Sequence, residues 1–264
     1  MDLHTPEDLP DTPAQRAADR RRLLRALNAS LAFVLLLAVA FALQHGEDFR
    51  ALTVAAREPA GLLGILTAPL LHGSLEHIAA NAASLLLLGT LALAVYPKAT
   101  VRALPLFWLT SGLGAWLLGD PGSHHLGASG LTHGLMFMLF VLGLLRRDRA
   151  SIAAGMIGFL FYGGMLLTVL PQEPGVSWQS HLGGAVGGVL AALLFRHADP
   201  LPPRKKYSWD FEDEAAFADD EELEPPKPHD VPVLWHRPAE QRGVVLPFPR
   251  RELPPADPQR PPDP

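Results

Sequence analysis

The sequence predicts an all-α, polytopic membrane protein with six transmembrane helices and a disordered C-terminal tail. Hydrophobic residues make up 48% of the 264 residues and concentrate in the middle of the chain, where six apolar segments each approach the ~20 residues that span a bilayer. Two of them, LAFVLLLAVAFAL (31–43) and LMFMLFVLGLL (135–145), are apolar all round, unlike helices of a soluble bundle. Basic residues recur in every second loop, as the positive-inside rule expects.

The polar N-terminal segment, residues 1–22, is predicted to be cytoplasmic because arginines 20, 21, 22 and 25 flank the first apolar segment, 24–44. That segment could be interpreted as a signal peptide with AFALQ as a cleavage-like site. The apolar run is longer than a typical signal-peptide core and a charged leader precedes it, so a retained first helix is favoured.

Five further segments complete a membrane domain over residues 23–196. Basic residues follow the second, fourth and sixth segments, whereas the loops GDPGSHH and PQEPGVSWQS contain none. The longer 45–73 connection, with Arg50 and Arg57, is the exception. The alternation predicts that both termini are cytoplasmic and that the second, fourth and sixth helices begin on the outer side. The segments are 74–96, 99–119, 127–145, 150–170 and 178–196.

The tail, residues 197–264, is rich in proline and acids, as in FEDEAAFADDEELEPPKP. Such a segment buries too little apolar surface to offset its chain entropy, so a disordered cytoplasmic tail with an unknown partner is expected. The net charge of −5 reflects this acidic tail. The absence of cysteine excludes disulfides and thiol nucleophiles. No basic face interleaved with aromatic residues indicates nucleic acid binding.

Polar residues occur at the starts of three of the predicted helices. His77 and Asn81 share one face of the second helix, Ser129 and His133 share one face of the fourth, and His181 lies in the first turn of the sixth. Polar groups inside a spanning helix are costly, and these lie at a similar depth. The sequence therefore predicts a shared wet pocket just below the outer surface, although Ser129 could also be a helix cap.

Glycines on two of these helices allow the backbones to approach. Gly130 and Gly134 form a small-xxx-small pair on the fourth helix, and the sixth helix carries two such pairs, Gly183/Gly187 and Gly184/Gly188. A hydroxyl must come within about 3 Å of an imidazole before the ring can take its proton. Close helix packing would permit that contact.

Three motifs in this order resemble the rhomboid family of intramembrane serine proteases. They are GASG (127–130), HGSLEHIAAN (72–81) and SHLGGAVGG (180–188), and the resemblance covers roughly residues 60–196. It implies a rhomboid-like six-helix bundle that cleaves transmembrane or membrane-proximal segments of protein substrates within the lipid bilayer. It also implies a bacterial inner (cytoplasmic) membrane and a reaction that needs no cofactor and no metal.

The resemblance also implies the role of each site residue. Ser129 would be the nucleophile and His181 the general base of a dyad. His77 and Asn81, with the Ser129 backbone N–H, would form the oxyanion hole. Gly127 and Gly130 would admit substrate backbone next to the serine. The supporting residues are Gly127, Gly130, His133, Gly184 and Gly188.

Two departures from the family pattern concern the surroundings of the site. The first outer loop, GLLGILTAPLLH, lacks the Trp-Arg pair that rhomboids often carry. His133 stands where an aromatic residue usually packs on the catalytic histidine, and we expect it to stack on His181. The pattern GASGLTHG is similar to the rhombosortase branch, which processes proteins with a C-terminal sorting helix.

Two alternatives remain open from the residues alone. A metal-dependent membrane hydrolase could use histidines on the outer side with Glu76 as acid, although the H-E-x-x-H spacing is absent. A non-enzymatic membrane binding protein is the other alternative. A transporter is disfavoured because the inner halves of the helices offer almost no polar groups. The histidines considered as metal ligands are His72, His77, His133 and His181.

Overall fold

A computed structural model describes residues 12–44, 46, 48–171 and 175–200, and within them seven α-helices are found. Six are long and apolar enough to cross a membrane when the fifth, Arg149–Leu166, is counted with the 3₁₀ turn that extends it. The predicted all-α fold with six spans is therefore confirmed. The predicted tail lies outside the described residues from residue 201 onward. The helices are α1 (Pro13–Leu43), α2 (Gly64–Thr67), α3 (Leu75–Val95), α4 (Pro97–Leu118), α5 (Ser129–Arg146), α6 (Arg149–Tyr162) and α7 (Trp178–Phe195).

Helix α1 begins earlier than its apolar segment, at Pro13 rather than residue 24. The Thr12 hydroxyl accepts a hydrogen bond from the Gln15 backbone N–H, and Pro13 occupies the first helical position. Both features favour a helix start. Part of the polar N-terminal segment is consequently a helical extension of the first span, which hydropathy alone does not reveal.

Helix α6 ends earlier than predicted. Its N-terminus is capped by Asp148, whose carboxylate accepts from the Ser151 N–H at 3.0 Å. The regular helix stops at Tyr162, and a 3₁₀ turn, Gly163–Leu166, carries the chain further. Two consecutive glycines lower the helix propensity at this point. The remainder of the predicted 150–170 segment is therefore irregular backbone.

Helices α5 and α7 pack against each other without intervening side chains. A Cβ atom at Gly184 would collide with the carbonyl oxygen of Gly130, and one at Gly188 with that of Gly134. The opposite side of α7 meets α4, because a Cβ atom at Gly183 would collide with the carbonyl of Thr110. Small residues permit such backbone contact in lipid, where packing drives helix association.

The 48–74 connection folds against α4 and supplies a short strand. Strand β1 (Val54–Ala55) pairs antiparallel with β2 (His124–His125), which precedes α5. Two indoles of α4 donate to backbone carbonyls of the connection: Trp108 Nε1 to Leu66 at 3.0 Å and Trp116 Nε1 to Glu58 at 2.8 Å. The sequence did not indicate these strands, since two residues are too few for a period-2 pattern.

Asp199 ties together the end of the bundle opposite the starts of α3, α5 and α7. Its side chain is buried, and its carboxylate accepts from the backbone N–H groups of Lys98 and Ala99 at 3.0 and 2.9 Å, in the first turn of α4. Arg146, at the end of α5, donates to the Asp199 carbonyl at 2.9 Å. The chain just beyond α7 is thereby fixed to two other helices.

Replacing Asp199 by alanine should lower the stability of the folded protein. Because the first turn of α4 would lose its carboxylate acceptor, we expect a loss of about 1 kcal/mol, comparable to removal of a helix cap. Thermal unfolding of the purified protein in detergent measures the effect. Asp199→Asn keeps one side-chain oxygen and should fall between wild type and Asp199→Ala. Equal melting temperatures for all three proteins would contradict the capping role.

Replacing Gly184 by alanine should separate α5 from α7. The added methyl group has no space beside the Gly130 carbonyl, so we expect destabilisation of about 1–3 kcal/mol, typical of overpacking. The matched control is Gly158→Ala on α6, where the nearest atom to an added Cβ, on Leu88, lies at 3.4 Å, an ordinary contact. Unfolding in detergent should show a loss for Gly184→Ala alone. An equal melting temperature for Gly184→Ala and wild type would show that the backbones of α5 and α7 do not approach as closely as the structure indicates.

Candidate active site

A cavity of about 1040 Å³ lies where α3, α5 and α7 begin. The polar residues predicted to share a pocket all line it, although they come from three helices far apart in sequence. Residues from the loop before α5 and from the irregular segment after α6 complete its wall. Its lining includes His77, Asn81, Ser84, Asp120, His125, Ser129, Thr132, His133, Met165, Thr168, Ser177 and His181.

Ser129 and His181 are in direct hydrogen-bond contact. His181 Nε2 lies 2.9 Å from Ser129 Oγ, and His181 Nδ1 lies 3.0 Å from the carbonyl oxygen of Thr168. A carbonyl oxygen only accepts, so Nδ1 carries the proton of the neutral ring and Nε2 has a free lone pair. The Ser129 hydroxyl therefore donates to His181, the geometry in which an imidazole can deprotonate a serine.

The local folding of α5 and α7 places these two groups. Ser129 is the first residue of α5, so its backbone N–H has no partner within the helix, and the helix N-terminus favours negative charge beside it. His181 lies in the first turn of α7, which begins after Ser177, whose hydroxyl accepts from the Ser180 N–H at 3.4 Å. The Ser129 hydroxyl, a candidate nucleophile, therefore lies beside a backbone N–H that has no partner within the helix.

His77 and Asn81 lie one turn apart on α3, and both line the cavity. Asn81 is buried, and its side-chain nitrogen has no hydrogen-bond partner among the described residues. Gly127 has a φ of 112°, and a Cβ atom there would lie 2.5 Å from Cε1 of His77. Only glycine lets the His77 ring approach the chain two residues before Ser129.

The ring of His133 is stacked on the ring of His181. Their centroids are 3.9 Å apart and the planes differ by 14°. His133 is nearly completely buried. The sequence interpretation favoured stacking for His133, and the structure places the ring in that position.

Two more histidines, at the margin of the site, are outside the spanning helices. His72 contacts the His77 ring edge-on, and burial, together with the charge of His77, lowers the pKa of His72 to about 4. His125 bridges the loop before α5 to the start of α7: its Nε2 lies 2.9 Å from Ser123 Oγ and its Nδ1 lies 2.7 Å from Ser177 Oγ. Burial also lowers the pKa of His125. Both rings are therefore neutral near pH 7.

Sequence reasoning missed Thr168 and the bridging contacts of His125. The contact of Thr168 with His181 uses a backbone carbonyl, which every residue has, so no residue type could signal it. His125 ends the outer loop GDPGSHH, and the pairing of His124–His125 with β1 brings its ring to Ser177. A contact that depends on a two-residue strand leaves no pattern in the sequence.

The histidines considered as metal ligands do not converge on one point. Among the described residues, no group of three or more His, Asp or Glu side chains could hold a metal ion. The stacked rings of His133 and His181 direct their nitrogen atoms to Ser129 and Thr168. The geometry favours chemistry on the serine hydroxyl over chemistry on a bound ion.

Comparison with known proteins identifies the family. The profile of the Rhomboid domain matches residues 59–198, more than half of the chain. An uncharacterised protein of Mycobacterium tuberculosis is 38% identical over 205 residues, 74% of this chain and 85% of its own length, and one of Mycobacterium bovis matches equally. An uncharacterised protein of Mycobacterium leprae is 40% identical over 141 residues, 50% of this chain and 56% of its own length. The chain is an integral membrane protein and belongs to the rhomboid family of intramembrane proteases.

Proposed function

We propose that this protein is an intramembrane serine endopeptidase that cleaves transmembrane or membrane-proximal segments of membrane proteins. The observation that carries the proposal is the 2.9 Å contact between Ser129 Oγ and His181 Nε2, with the other ring nitrogen held by the Thr168 carbonyl. This contact supports Ser129 as nucleophile and His181 as general base. Membership of a protease family supports the same reaction class.

The proposed reaction has an acylation step and a deacylation step, and His181 transfers one proton in each. Ser129 Oγ attacks the carbonyl carbon of the scissile peptide bond while His181 Nε2 takes the hydroxyl proton. The tetrahedral intermediate collapses when His181 returns this proton to the leaving amine, which leaves an ester on Ser129. Water then attacks the ester with His181 again accepting a proton. The second tetrahedral intermediate collapses when His181 returns this proton to Ser129 Oγ. The ester bond breaks, the carboxylic acid product leaves, and the serine hydroxyl and the neutral ring of His181 are restored.

The negative charge of the tetrahedral oxygen needs donors that are available before the reaction. Three donors surround this part of the cavity: the side-chain nitrogen of Asn81, which has no hydrogen-bond partner among the described residues, the backbone N–H of Ser129, and the ring of His77. A buried donor without a partner is costly in a folded protein. That cost is offset in the transition state, so the unpaired Asn81 amide supports the oxyanion role of Asn81 and His77.

The proposed orientation places the cavity on the outer side of a bacterial inner membrane and both termini in the cytoplasm. Basic residues support it, because they concentrate at the bundle end opposite the cavity, as the positive-inside rule expects. The bacterial relatives support the compartment. The similarity of GASGLTHG to the rhombosortase branch stays a prediction about substrate choice, and no cofactor takes part in the proposed reaction. Arg50 and Arg57 remain the exception. The basic residues at the end opposite the cavity include Arg22, Arg25, Lys98, Arg102, Arg146, Arg147 and Arg149.

Replacing either Ser129 or His181 by alanine should abolish proteolysis. Each change removes an atom that forms or breaks a bond, so we expect cleavage of a single-span reporter in liposomes to slow by at least about 1,000-fold. A fluorophosphonate probe should label the wild type and fail to label Ser129→Ala. Ser30→Ala, which removes a buried hydroxyl of α1, is the matched control and should be labelled like the wild type. Labelling or cleavage that persists without Ser129 would refute the proposal.

Replacing Asn81 by alanine should lower kcat with little change in KM. The amide would act only on the charge that develops in the transition state, so we expect a decrease of about 100- to 1,000-fold in kcat. Steady-state cleavage of the reporter measures both constants, and thermal unfolding checks that the variant is folded. Asn28→Ala, at an exposed position of α1, is the control. A rise in KM with unchanged kcat would assign Asn81 to substrate binding instead.

A further inference from the structure

We infer that the Thr168 hydroxyl positions the catalytic pair by closing Ser129, His133 and His181 into one ring of hydrogen bonds. The inference rests on the proposed protease function. Thr168 lies in the irregular segment that follows α6 and lines the cavity. It contacts both histidines, one through its backbone and the other through its side chain.

Four contacts form the ring. Ser129 Oγ meets His181 Nε2 at 2.9 Å, and His181 Nδ1 meets the Thr168 carbonyl at 3.0 Å. Thr168 Oγ1 then meets His133 Nε2 at 2.8 Å, and His133 Nδ1 meets the carbonyl of Ser129 at 2.7 Å. The ring therefore returns to the residue from which it started, with α5, α7 and the segment after α6 each contributing.

The two carbonyl groups fix the position of the ring proton in both histidines. Each carbonyl can only accept, so Nδ1 carries the proton in both neutral histidines. Each Nε2 must then accept, from the Ser129 hydroxyl in His181 and from the Thr168 hydroxyl in His133. The Thr168 hydroxyl could alternatively donate to the Met165 carbonyl, 3.0 Å away. Donation to His133 is favoured because the buried Nε2 atom would otherwise lack a donor.

The end of α6 makes this arrangement possible. Within a regular helix, the Thr168 carbonyl would accept from the backbone four residues later. The helix instead stops at Tyr162, and the chain passes through the Gly163–Leu166 turn, so this carbonyl is available to His181. Irregular backbone at membrane depth is tolerated where it lines a cavity, as it does here.

The hydrogen-bond ring restrains the imidazole of His181 in two ways. The Thr168 carbonyl prevents rotation of the imidazole about its long axis, and the stacked His133 ring covers one face. After proton transfer the carbonyl still accepts from Nδ1, and the neutral face of His133 lies against a cation, which an aromatic face tolerates. In a Ser-His-Asp triad a carboxylate orients the base. Here the Thr168 carbonyl orients it, and the hydroxyl anchors the stacking partner.

The test is the rate at which a fluorophosphonate labels Ser129 in the full-length protein in detergent. Thr168→Val keeps the shape of the side chain and the backbone carbonyl but removes the hydroxyl. We expect the maximal labelling rate to fall about 3- to 10-fold, the effect of one hydrogen bond, with unchanged half-saturating probe concentration. Thr168→Ser should restore the wild-type rate because it returns the hydroxyl.

A double-mutant cycle with His133→Phe separates positioning from a general structural effect. Phenylalanine can stack on His181 but cannot accept from Thr168. His133→Phe should therefore slow labelling by a similar factor, and adding Thr168→Val should cause no further loss. Thr90→Val on α3 is the matched control, since that hydroxyl is buried without a partner in the part of the chain that the structure describes. It should label at the wild-type rate.

Three results would overturn the inference while leaving the protease proposal intact. They are a wild-type labelling rate for Thr168→Val, a Thr168→Ser variant as slow as Thr168→Val, and multiplicative losses in the double variant. A wild-type protein that is neither labelled at Ser129 nor able to cleave the reporter would instead refute the proposed function, and the positioning role with it. The two failures are therefore distinguishable in one experiment.

Discussion

The contact between the Ser129 hydroxyl and the His181 imidazole sets the geometric requirement for the rest of the bundle. The two residues are 52 positions apart and lie on different helices. Both are near the start of their helix, where short side chains must meet across the gap between α5 and α7. That gap can close only because the facing positions are glycine, so that backbone packs directly on backbone. In lipid, where no hydrophobic effect drives helices together, this packing is also what associates them.

The site lies where regular helical structure stops. Ser129 occupies the first position of α5, His181 the first turn of α7, and Thr168 the irregular chain after α6. Helix ends leave backbone N–H and C=O groups without partners, and such groups are costly inside a membrane unless something else uses them. The proposed mechanism uses one of each: an N–H for the oxyanion and a C=O for the base. The backbone groups left without helical partners are costly for folding, and the proposed mechanism uses them to bind the oxyanion and to orient the base.

The sequence predicted the parts of the structure that depend on residue type. Apolar length revealed the six spans, and costly polar residues such as Asn81 and His181 revealed the cavity, because each needs a reason to be in lipid. It did not predict the start of α1 at Pro13 or the strand pair, since polar helix and two-residue strands leave no hydropathy signal. Thr168 was missed because it acts on His181 through a carbonyl. Sequence patterns report side chains, whereas backbone groups become visible only in coordinates.

Helix α7 presents glycines to two neighbours at once, Gly184 and Gly188 to α5 and Gly183 to α4. Successive residues of a helix are rotated by about 100°. Inserting or deleting one residue within this stretch would turn both glycine faces away from α5 and α4 at once. Valine or leucine side chains would then lie where the backbones now meet. A shift in the register of α7 would therefore disturb more contacts than a change of one lipid-facing side chain, because Gly183, Gly184 and Gly188 all pack on neighbouring helices.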